Sequence, residues 1–398
     1  MKLADRVNRI QYSKTVDISN AVLRLRRDGN HVVSFGAGEP DFDTPDFIKE
    51  AAIAAMREGK TKYTHVMGIP ELREAIARKF KNDNKLDYET DQILVTTGGK
   101  QALFNAVLST CQEGDEVLIP TPYWVSYPEQ ARLAGAVPVF IPSRAENRFK
   151  ITPEDLELAI TPKSRLLIFN SPNNPSGAVY DPELLRKLAN VLAGTSILIL
   201  TDEIYEKIIF DGRTYVSLAS FPEIKDQTIV VNGVSKAYAM TGWRIGYAAG
   251  PKDVISAMSK IQGHSTSNPN TIAQWASVAA LSKGSEEIQN MVAEFQKRRD
   301  YVHKRLCKLP GIQSEKPEGT FYIFPKISDY FGKTYRSYKI SNSFDFCQFL
   351  LEEEKVALIP GGAFGMDSFA RISFATSFDE LEEGMNRIER GLTKLYSS

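Results

Sequence analysis

Lys236 is the residue whose type and surroundings most directly indicate chemistry. It lies in the stretch Ser235–Gly246, where small residues surround the lysine and Arg244 follows eight positions later. A lysine at the end of a strand is typical of an anion contact or of an amine that forms a Schiff base. Small neighbours let a flat molecule approach the backbone, and an arginine can bind a phosphate through two hydrogen bonds. The stretch therefore predicts a site for a flat, anionic cofactor.

Two adjacent glycines, Gly98 and Gly99, separate a strand-like run from the helical stretch Gln101–Thr110. At such a junction the backbone N–H groups can approach an anion, and the helix dipole favours negative charge there. The pair alone fits a plain tight turn equally well. The chain lacks the GxxxxGK[ST] spacing of a P-loop, and Gly36-Ala37-Gly38 lacks the third glycine of a dinucleotide fingerprint. A phosphate is expected, whereas ATP and NAD are not specifically supported.

Polar residues follow four of the predicted strands. They are Thr97–Lys100, Asn170–Gly177, the group Asp202, Glu203 and Tyr205, and the pair Ser235 and Lys236. In open parallel α/β sheets, ligands bind outside the carboxyl ends of the strands. We therefore expect these groups to converge at one edge of a sheet.

The elements that must position these residues are short apolar runs alternating with helical patterns. Seven runs are predicted as strands: Gln92–Thr96, Glu116–Pro120, Val137–Ile141, Arg165–Phe169, Ile197–Thr201, Thr228–Asn232 and Arg244–Ala248. Most are continuously apolar, which is typical of strands buried on both faces, so a mainly parallel sheet covered by helices is predicted. Predicted helices include 47–60, 70–82 and 182–193.

The pattern changes after residue 285. A long polar amphipathic stretch, Glu286–Leu309, is followed by shorter strand-like runs and a final helix from Ser377. We interpret residues 46–285 as a large ligand-binding domain and 286–398 as a smaller α+β domain. Residues 1–45 are too few to fold alone, and we expect them to pack with the small domain or on a partner chain.

Composition excludes several functional classes. The 49 basic residues balance the 49 acidic residues, so no bulk charge attracts nucleic acid or an anionic membrane. No apolar run approaches the roughly 20 residues of a membrane span, and no secretory signal is visible. The three cysteines and four histidines are scattered without metal-ligand spacing. No metal site is expected, and a reducing, cytoplasmic location is the default.

The stretch Gly233–Gly246 resembles the lysine signature of class I pyridoxal-phosphate aminotransferases. Further motifs of that family match in the same order along nearly the whole chain. They are Gly36–Asp41, Asn173–Gly177, Asp202–Tyr205 and Arg371–Ala375. The chain is most similar to the aspartate aminotransferase branch typified by bacterial and archaeal enzymes. The resemblance implies the α/β fold of fold type I pyridoxal-phosphate transferases, with a mostly parallel seven-stranded sheet and a smaller α+β domain.

The resemblance also assigns catalytic roles. Lys236 would hold pyridoxal 5'-phosphate as an imine, and its released amine would then move a proton between the substrate and the cofactor. Asp202 would pair with the pyridine nitrogen and keep it protonated. Tyr205 and Asn174 would donate hydrogen bonds to the ring oxygen and lower the pKa of the imine. Trp124 would stack on the ring.

Binding roles follow from the same resemblance. Gly99, the Lys100 backbone and Arg244 would bind the phosphate, together with Tyr63 from the other subunit of a homodimer. The substrate would contact a further set, in which Arg371 clamps its α-carboxylate. That set is Gly38, Lys100, Trp124, Asn174 and Arg371.

Two departures from the family pattern stand out. Gly233 occupies a position where members often carry a serine that contacts the phosphate, and Ser235 is the residue that could compensate. Ser176 replaces a commoner threonine but keeps the hydroxyl. The family also places cis peptide bonds in the active site, which predicts cis Thr121–Pro122 and Asn174–Pro175 bonds here.

The resemblance of Lys100 to the lysine that reads a distal carboxylate predicts an acidic substrate. We expect L-aspartate and 2-oxoglutarate to give oxaloacetate and L-glutamate in two ping-pong half-reactions, with Ser13 and Thr15 lining the same pocket. Aromatic amino acids, alanine or prephenate are alternative substrates, although neutral Gln11 weakens the prephenate option. A pyridoxal-phosphate C–S β-lyase and a non-catalytic pyridoxal-phosphate-binding module are the alternatives outside transamination.

Overall fold

The computed structural model describes residues 3–12, 14–283 and 285–396. Its centre is a seven-stranded sheet in which six strands run in one direction and Gly246–Ala249 is antiparallel to both of its neighbours. In spatial order the strands are Ile93–Thr96, Gly246–Ala249, Thr228–Gly233, Leu198–Asp202, Ser164–Asn170, Glu116–Pro120 and Val137–Ile141. The mostly parallel α/β sheet predicted from the sequence is confirmed.

Helices cover both faces of this sheet. They are Asp46–Arg57, Pro70–Lys79, Gly99–Thr110, Ser126–Leu133, Pro153–Ala159, Pro182–Leu192, Pro222–Lys225, Lys252–Ser265 and Thr271–Lys283. Successive strand residues enter different cores: Ile93 and Val95 join one apolar cluster, while Leu94 joins the cluster on the opposite face. Because both faces are covered, the strands are continuously apolar rather than alternating.

The C-terminal part contains the helices Ser285–Leu306, Ser343–Glu354 and Phe378–Tyr396 around a small antiparallel sheet. That sheet pairs Ala370–Ser373 with Ile359–Pro360 on one side and with Tyr322–Ile323 on the other. A hairpin, Thr334–Tyr335 with Tyr338–Lys339, lies beside it.

The N-terminal segment is tied to the C-terminal part. It contains the helices Asp5–Asn8 and Lys14–Arg27 and the strand Val33–Ser34, which pairs in parallel with Val356–Ala357. The domain boundaries at residues 45 and 285 stay a prediction. Across the described ranges, no helix combines the length and the apolar character that crossing a bilayer requires.

The helix predicted over 47–60 ends at Arg57. Two further predicted elements differ from those observed at polar residues. The helix predicted over 70–82 ends at Lys79 and continues as a π-helix, Phe80–Asn84. The last predicted strand begins at Gly246 rather than Arg244, because Arg244 adopts a left-handed conformation with φ of 57° that breaks the extended backbone. Both differences place polar side chains in positions that local sequence does not reveal.

Candidate active site

A cavity of about 540 Å³ lies at the carboxyl ends of the central strands, beside the C-terminal part. Of the predicted site residues whose side chains the structure describes, all except Tyr63 line it. These residues are Gly38, Gly99, Lys100, Trp124, Asn174, Asp202, Tyr205, Lys236, Arg244 and Arg371. Segments far apart in the chain thus deliver their polar groups to one space, as expected for the edge of a parallel sheet.

Lys236 follows the strand Thr228–Gly233 and lies in the wall of the cavity, where its ammonium group donates a hydrogen bond to the carbonyl of Gly38. Burial lowers the pKa of Lys236 to about 8, and the carboxylate of Glu39 partly opposes this shift. A lysine with a pKa near neutrality supplies more free amine, which is the form that acts as a nucleophile or a base.

Asp202 ends the strand Leu198–Asp202 and is almost fully buried. Tyr127 donates a hydrogen bond to its carboxylate at 2.7 Å, and the backbone N–H of Ile204 donates another at 3.3 Å. Burial raises the pKa of Asp202 to about 6 despite these donors. A cationic group in the cavity would stabilise the ionised form of this carboxylate.

Arg371 lies opposite, on the strand Ala370–Ser373 of the C-terminal part. Its guanidinium donates hydrogen bonds to the Asn174 side chain at 2.9 Å and to the Gly36 carbonyl at 3.0 Å. It also lies 4.3 Å from the ring centroid of Tyr322, whose hydroxyl is 3.0 Å from that of Tyr205. The buried Nε of Arg371 has no hydrogen-bond partner among the described residues, so the guanidinium is not fully satisfied by the protein.

An anion cradle forms where the helix Gly99–Thr110 begins. Gly98 has a φ of 78°, and a Cβ there would collide with the guanidinium of Arg244. Gly246 is needed as well, because a Cβ at that position would collide with the Gly98–Gly99 backbone. The helix N-terminus and the Arg244 guanidinium therefore lie close together, an arrangement suited to phosphate.

Lys100 and Trp124 form one wall of the cavity. The Lys100 ammonium lies 4.8 Å from the indole ring centroid. Burial, and then repulsion by Arg244, lowers the pKa of Lys100. Together with Arg244, Lys236 and Arg371, this lysine makes the cavity a receptor for molecules with more than one negative charge.

Comparison with known proteins identifies the family. Residues 30–388 match the family model described as aminotransferase class I and II. The chain belongs to this family. It is 48% identical over 391 residues to an aspartate aminotransferase of Geobacillus stearothermophilus, and the match covers 98% of each chain.

Two further relatives extend that comparison. The chain is 48% identical over 396 residues to a protein of Rickettsia bellii named "Probable aspartate/prephenate aminotransferase", and the match covers 99% of each. The solved structure of the Thermus thermophilus aspartate aminotransferase with maleate has a TM-score of 0.93 and 41% identity, covering 98% of this chain and 100% of that one. The fold expected from the resemblance is thereby confirmed.

Tyr63 is the predicted residue of this aminotransferase that does not reach the cavity. It is 91% exposed, on a segment fixed by a hydrogen bond from Thr271 to the Lys62 carbonyl at 2.9 Å. Gln274 accepts a hydrogen bond from the N–H of Ile69 at 2.8 Å farther along the same segment. A rigid, outward-pointing tyrosine is compatible with a contact to another chain.

The glycine that departs from the family pattern has a steric explanation. A Cβ at Gly233 would lie 2.9 Å from the Ile245 carbonyl oxygen and 3.0 Å from Gly246 Cα. A serine there would require the backbone to shift, whereas Ser235 lines the cavity and needs no such change. The cis bonds predicted at Thr121–Pro122 and Asn174–Pro175 are both present, and a third, at Ser171–Pro172, was not predicted.

Sequence reasoning missed Tyr127 and Tyr322, which touch Asp202 and Tyr205. Tyr127 lies three positions after Trp124, at the start of the helix Ser126–Leu133, and its closeness to Trp124 in the sequence was the available signal. For Tyr322 only the strand-like run was visible. Of the predicted pocket residues before the first strand, Ser13 and the side chain of Thr15 lie outside the described residues.

Proposed function

We propose that this aminotransferase transfers the amino group of L-aspartate to 2-oxoglutarate, with pyridoxal 5'-phosphate bound at Lys236. The observation that carries the proposal is a single cavity that holds four complementary groups. They are the Lys236 amine, the buried Asp202 carboxylate, the anion cradle at Gly99 and Arg244, and the Arg371 guanidinium. Each group matches one feature of the cofactor or of an amino acid.

The residues present fit pyridoxal phosphate. The cradle suits the phosphate, Asp202 suits a protonated ring nitrogen because its buried carboxylate lacks only a cation, and Lys236 suits the aldehyde. When bound, the cofactor supplies an electron sink for the carbanion that forms at the substrate Cα. The chain's own contribution is to bind, to orient and to move the proton at that carbon.

Proton transfer at Cα falls to Lys236, because its amine has a lowered pKa and projects into the cavity. Tyr205 and Asn174 also line the cavity and would donate hydrogen bonds to the cofactor oxygen. Arg371 binds the substrate carboxylate through its planar guanidinium, and Trp124 covers the ring. The carbonyl of Gly38, which accepts a hydrogen bond from Lys236, lies at the substrate side.

Specificity for a second carboxylate rests on Lys100, whose ammonium faces the cavity above Trp124. The relatives named as aspartate aminotransferases, and the neighbour solved with the dicarboxylate maleate, support the same assignment. Prephenate is the second candidate, because the Rickettsia bellii relative carries that substrate in its name.

A homodimer belongs to the proposal. Tyr63 is exposed on an ordered segment and would complete the phosphate cradle of the partner chain. The cytoplasmic location expected from the sequence stays a prediction.

An absorbance spectrum of the purified protein, before and after addition of L-aspartate, tests the proposal. We expect a yellow band that shifts toward the ultraviolet with aspartate and returns with 2-oxoglutarate. A protein that stays colourless with added pyridoxal phosphate would contradict the role of Lys236. Release of a thiol, pyruvate and ammonia from a sulfur-containing amino acid such as cystathionine, without a keto acid, would instead indicate the β-lyase.

Lys100→Ala tests the specificity. The loss of kcat/KM should be about tenfold or more for aspartate and small for tyrosine, because only aspartate has a second carboxylate. Equal losses with both substrates would contradict the role of Lys100.

A further inference from the structure

Glu318 is a buried carboxylate outside the cavity that is bound by three cationic side chains. Arg148 lies 2.7 Å from it, Lys150 2.9 Å and Arg213 2.8 Å. The N–H of Val179 donates a fourth hydrogen bond at 3.1 Å. A carboxylate with this many charged partners is firmly fixed, and breaking the set would leave buried charges uncompensated.

Glu318 joins two segments that both lead into the cavity. Its N–H donates to the carbonyl of Gly177, which ends the turn that carries Asn174. The joint has no spare room: a Cβ at Gly177 would lie 2.6 Å from Pro317 Cβ and 2.8 Å from the Gly319 carbonyl oxygen. A displacement of either segment would therefore be transmitted to the other.

Thr320 marks the place where this joint bends the backbone. It is fully buried and has a φ of 63°, a left-handed conformation that is an outlier for a β-branched residue. Its N–H donates to the Ile208 carbonyl at 2.8 Å, and its hydroxyl accepts from the N–H of Tyr322 at 3.2 Å. Such a conformation persists only where the surroundings enforce it, and it concentrates at functional sites.

The bend at Thr320 determines where the side chain of Tyr322 lies. Its hydroxyl contacts Tyr205, and its ring lies under the guanidinium of Arg371. We propose that Glu318 is a positioning residue: by fixing the bend at Thr320 it holds Tyr322, and through Tyr322 it sets the affinity of Arg371 for the substrate carboxylate. The inference rests on the proposed function of Arg371.

Glu318→Gln in the holoenzyme tests the proposal against a matched control, Glu354→Gln. Glu354 is also a buried carboxylate outside the cavity, 2.7 Å from Arg390 and 2.6 Å from Lys394, but it ends the helix Ser343–Glu354 instead of joining the segments of Gly177 and Thr320. Both variants should lower the melting temperature. Only Glu318→Gln should raise the KM for aspartate and weaken calorimetric binding of succinate, a non-reacting dicarboxylate, by about tenfold, with a smaller change in kcat. An unchanged affinity, or an equal change in both variants, would overturn the proposal.

A double-mutant cycle with Tyr322→Phe shows whether Glu318 acts through that tyrosine. The combined variant should bind succinate little worse than Tyr322→Phe alone, since contacting groups that act as a unit are not additive. Independent, additive losses would contradict the proposal. Should Glu318→Gln fail to fold, Thr320→Gly keeps the carboxylate and removes the restraint; succinate affinity should fall, and an unchanged affinity would be decisive against it.

Kinetics of the wild type test the proposed function on their own, without the Glu318 variants. If the wild type responds to an amino donor other than aspartate, KM for that donor replaces the succinate measurement, because every amino acid carries the α-carboxylate that Arg371 would bind. The comparison of Glu318→Gln with Glu354→Gln then remains valid.

Discussion

Two polar regions lie at the end of the strand Leu198–Asp202, on opposite sides of the sheet. The front group faces the cavity and consists of Asp202, Tyr205, Lys236 and Arg371. The back group is buried behind it and consists of Glu203, Glu206, Lys79 and Asn84. Because neighbouring residues along a strand point to opposite faces, one short sequence supplies both groups.

The two groups satisfy their buried polar atoms differently. In the back group Lys79 pairs with Glu206, and Asn84 accepts from Lys79 and donates to Glu206, each at 2.7 Å. In the front group Arg371 keeps a buried Nε that finds no partner in the described part of the chain. Glu203 in the back group likewise keeps a buried carboxylate oxygen without a hydrogen-bond partner in the described part of the chain. Burial penalises charge in both places, but the front group lines the cavity, where a ligand can relieve that penalty. We therefore expect the front group to take part in catalysis and the back group to stabilise the fold.

Removing the Lys236 amine should have the largest effect. We expect Lys236→Ala to lower kcat by about 10⁴-fold or more, because under the proposed function the proton-transfer group and the cofactor attachment are lost together. Lys236→Arg is the control, since it keeps the charge but cannot act as a base at neutral pH. Steady-state kinetics with aspartate would check both variants, and substantial activity in Lys236→Arg would contradict the assignment.

Lys79→Met probes the back group with the opposite outcome. The uncompensated Glu206 should reduce the free energy of unfolding by about 3–5 kcal/mol, as measured by denaturant titration. At temperatures where the variant stays folded, kcat/KM should remain within about threefold of the wild type. Lys100→Met should give the opposite pattern. Its free energy of unfolding should change little, while its KM for aspartate should rise. A large loss of kcat/KM in folded Lys79→Met would break the comparison.

The fold was predictable from the sequence because continuous apolar runs such as those of Glu116–Pro120 and Thr228–Gly233 indicate burial on both faces, which is a local property. The π-helix Phe80–Asn84 was not predictable. Asn84, the last residue of this π-helix, donates a hydrogen bond to Glu206, which is 122 positions away in the sequence. A short stretch of sequence does not reveal so distant a partner.

The front group was predictable for a similar reason. Asp202 and Lys236 follow strands directly, and parallel strands bring their carboxyl ends together. Tyr322 was missed because its place depends on the left-handed Thr320, whose N–H donates a hydrogen bond to the carbonyl of Ile208, 112 positions earlier in the chain. Tertiary contacts fix that conformation against local preference, and no periodicity reveals them.

Glu203 offers a subtler test through pH. Burial, and then repulsion by Glu206, raises the pKa of Glu203 from 4.5 to about 7. Between these values the folded protein holds a proton that the unfolded chain has lost. The stabilising contribution is complete below about pH 4.5 and is lost as the pH rises through about 7. The melting temperature of the cofactor-free wild type should therefore fall between about pH 5 and 8. That of cofactor-free Glu203→Gln should fall less, and the difference between the two should be about 1–4 °C.

Asp202→Asn is the matched variant in the front group. Burial also raises the pKa of Asp202, to about 6, so the same flattening of the pH dependence is expected without cofactor. Activity should separate the two: Asp202→Asn should lose about 10²- to 10³-fold in kcat, because an electrostatic partner of the reacting system is gone. Glu203→Gln should stay within about threefold, since its carboxylate accepts hydrogen bonds from Ser217 and Thr201 behind the sheet. Equal losses in kcat would mean that the back group takes part in the chemistry, and the division between the two sides of the sheet would fail.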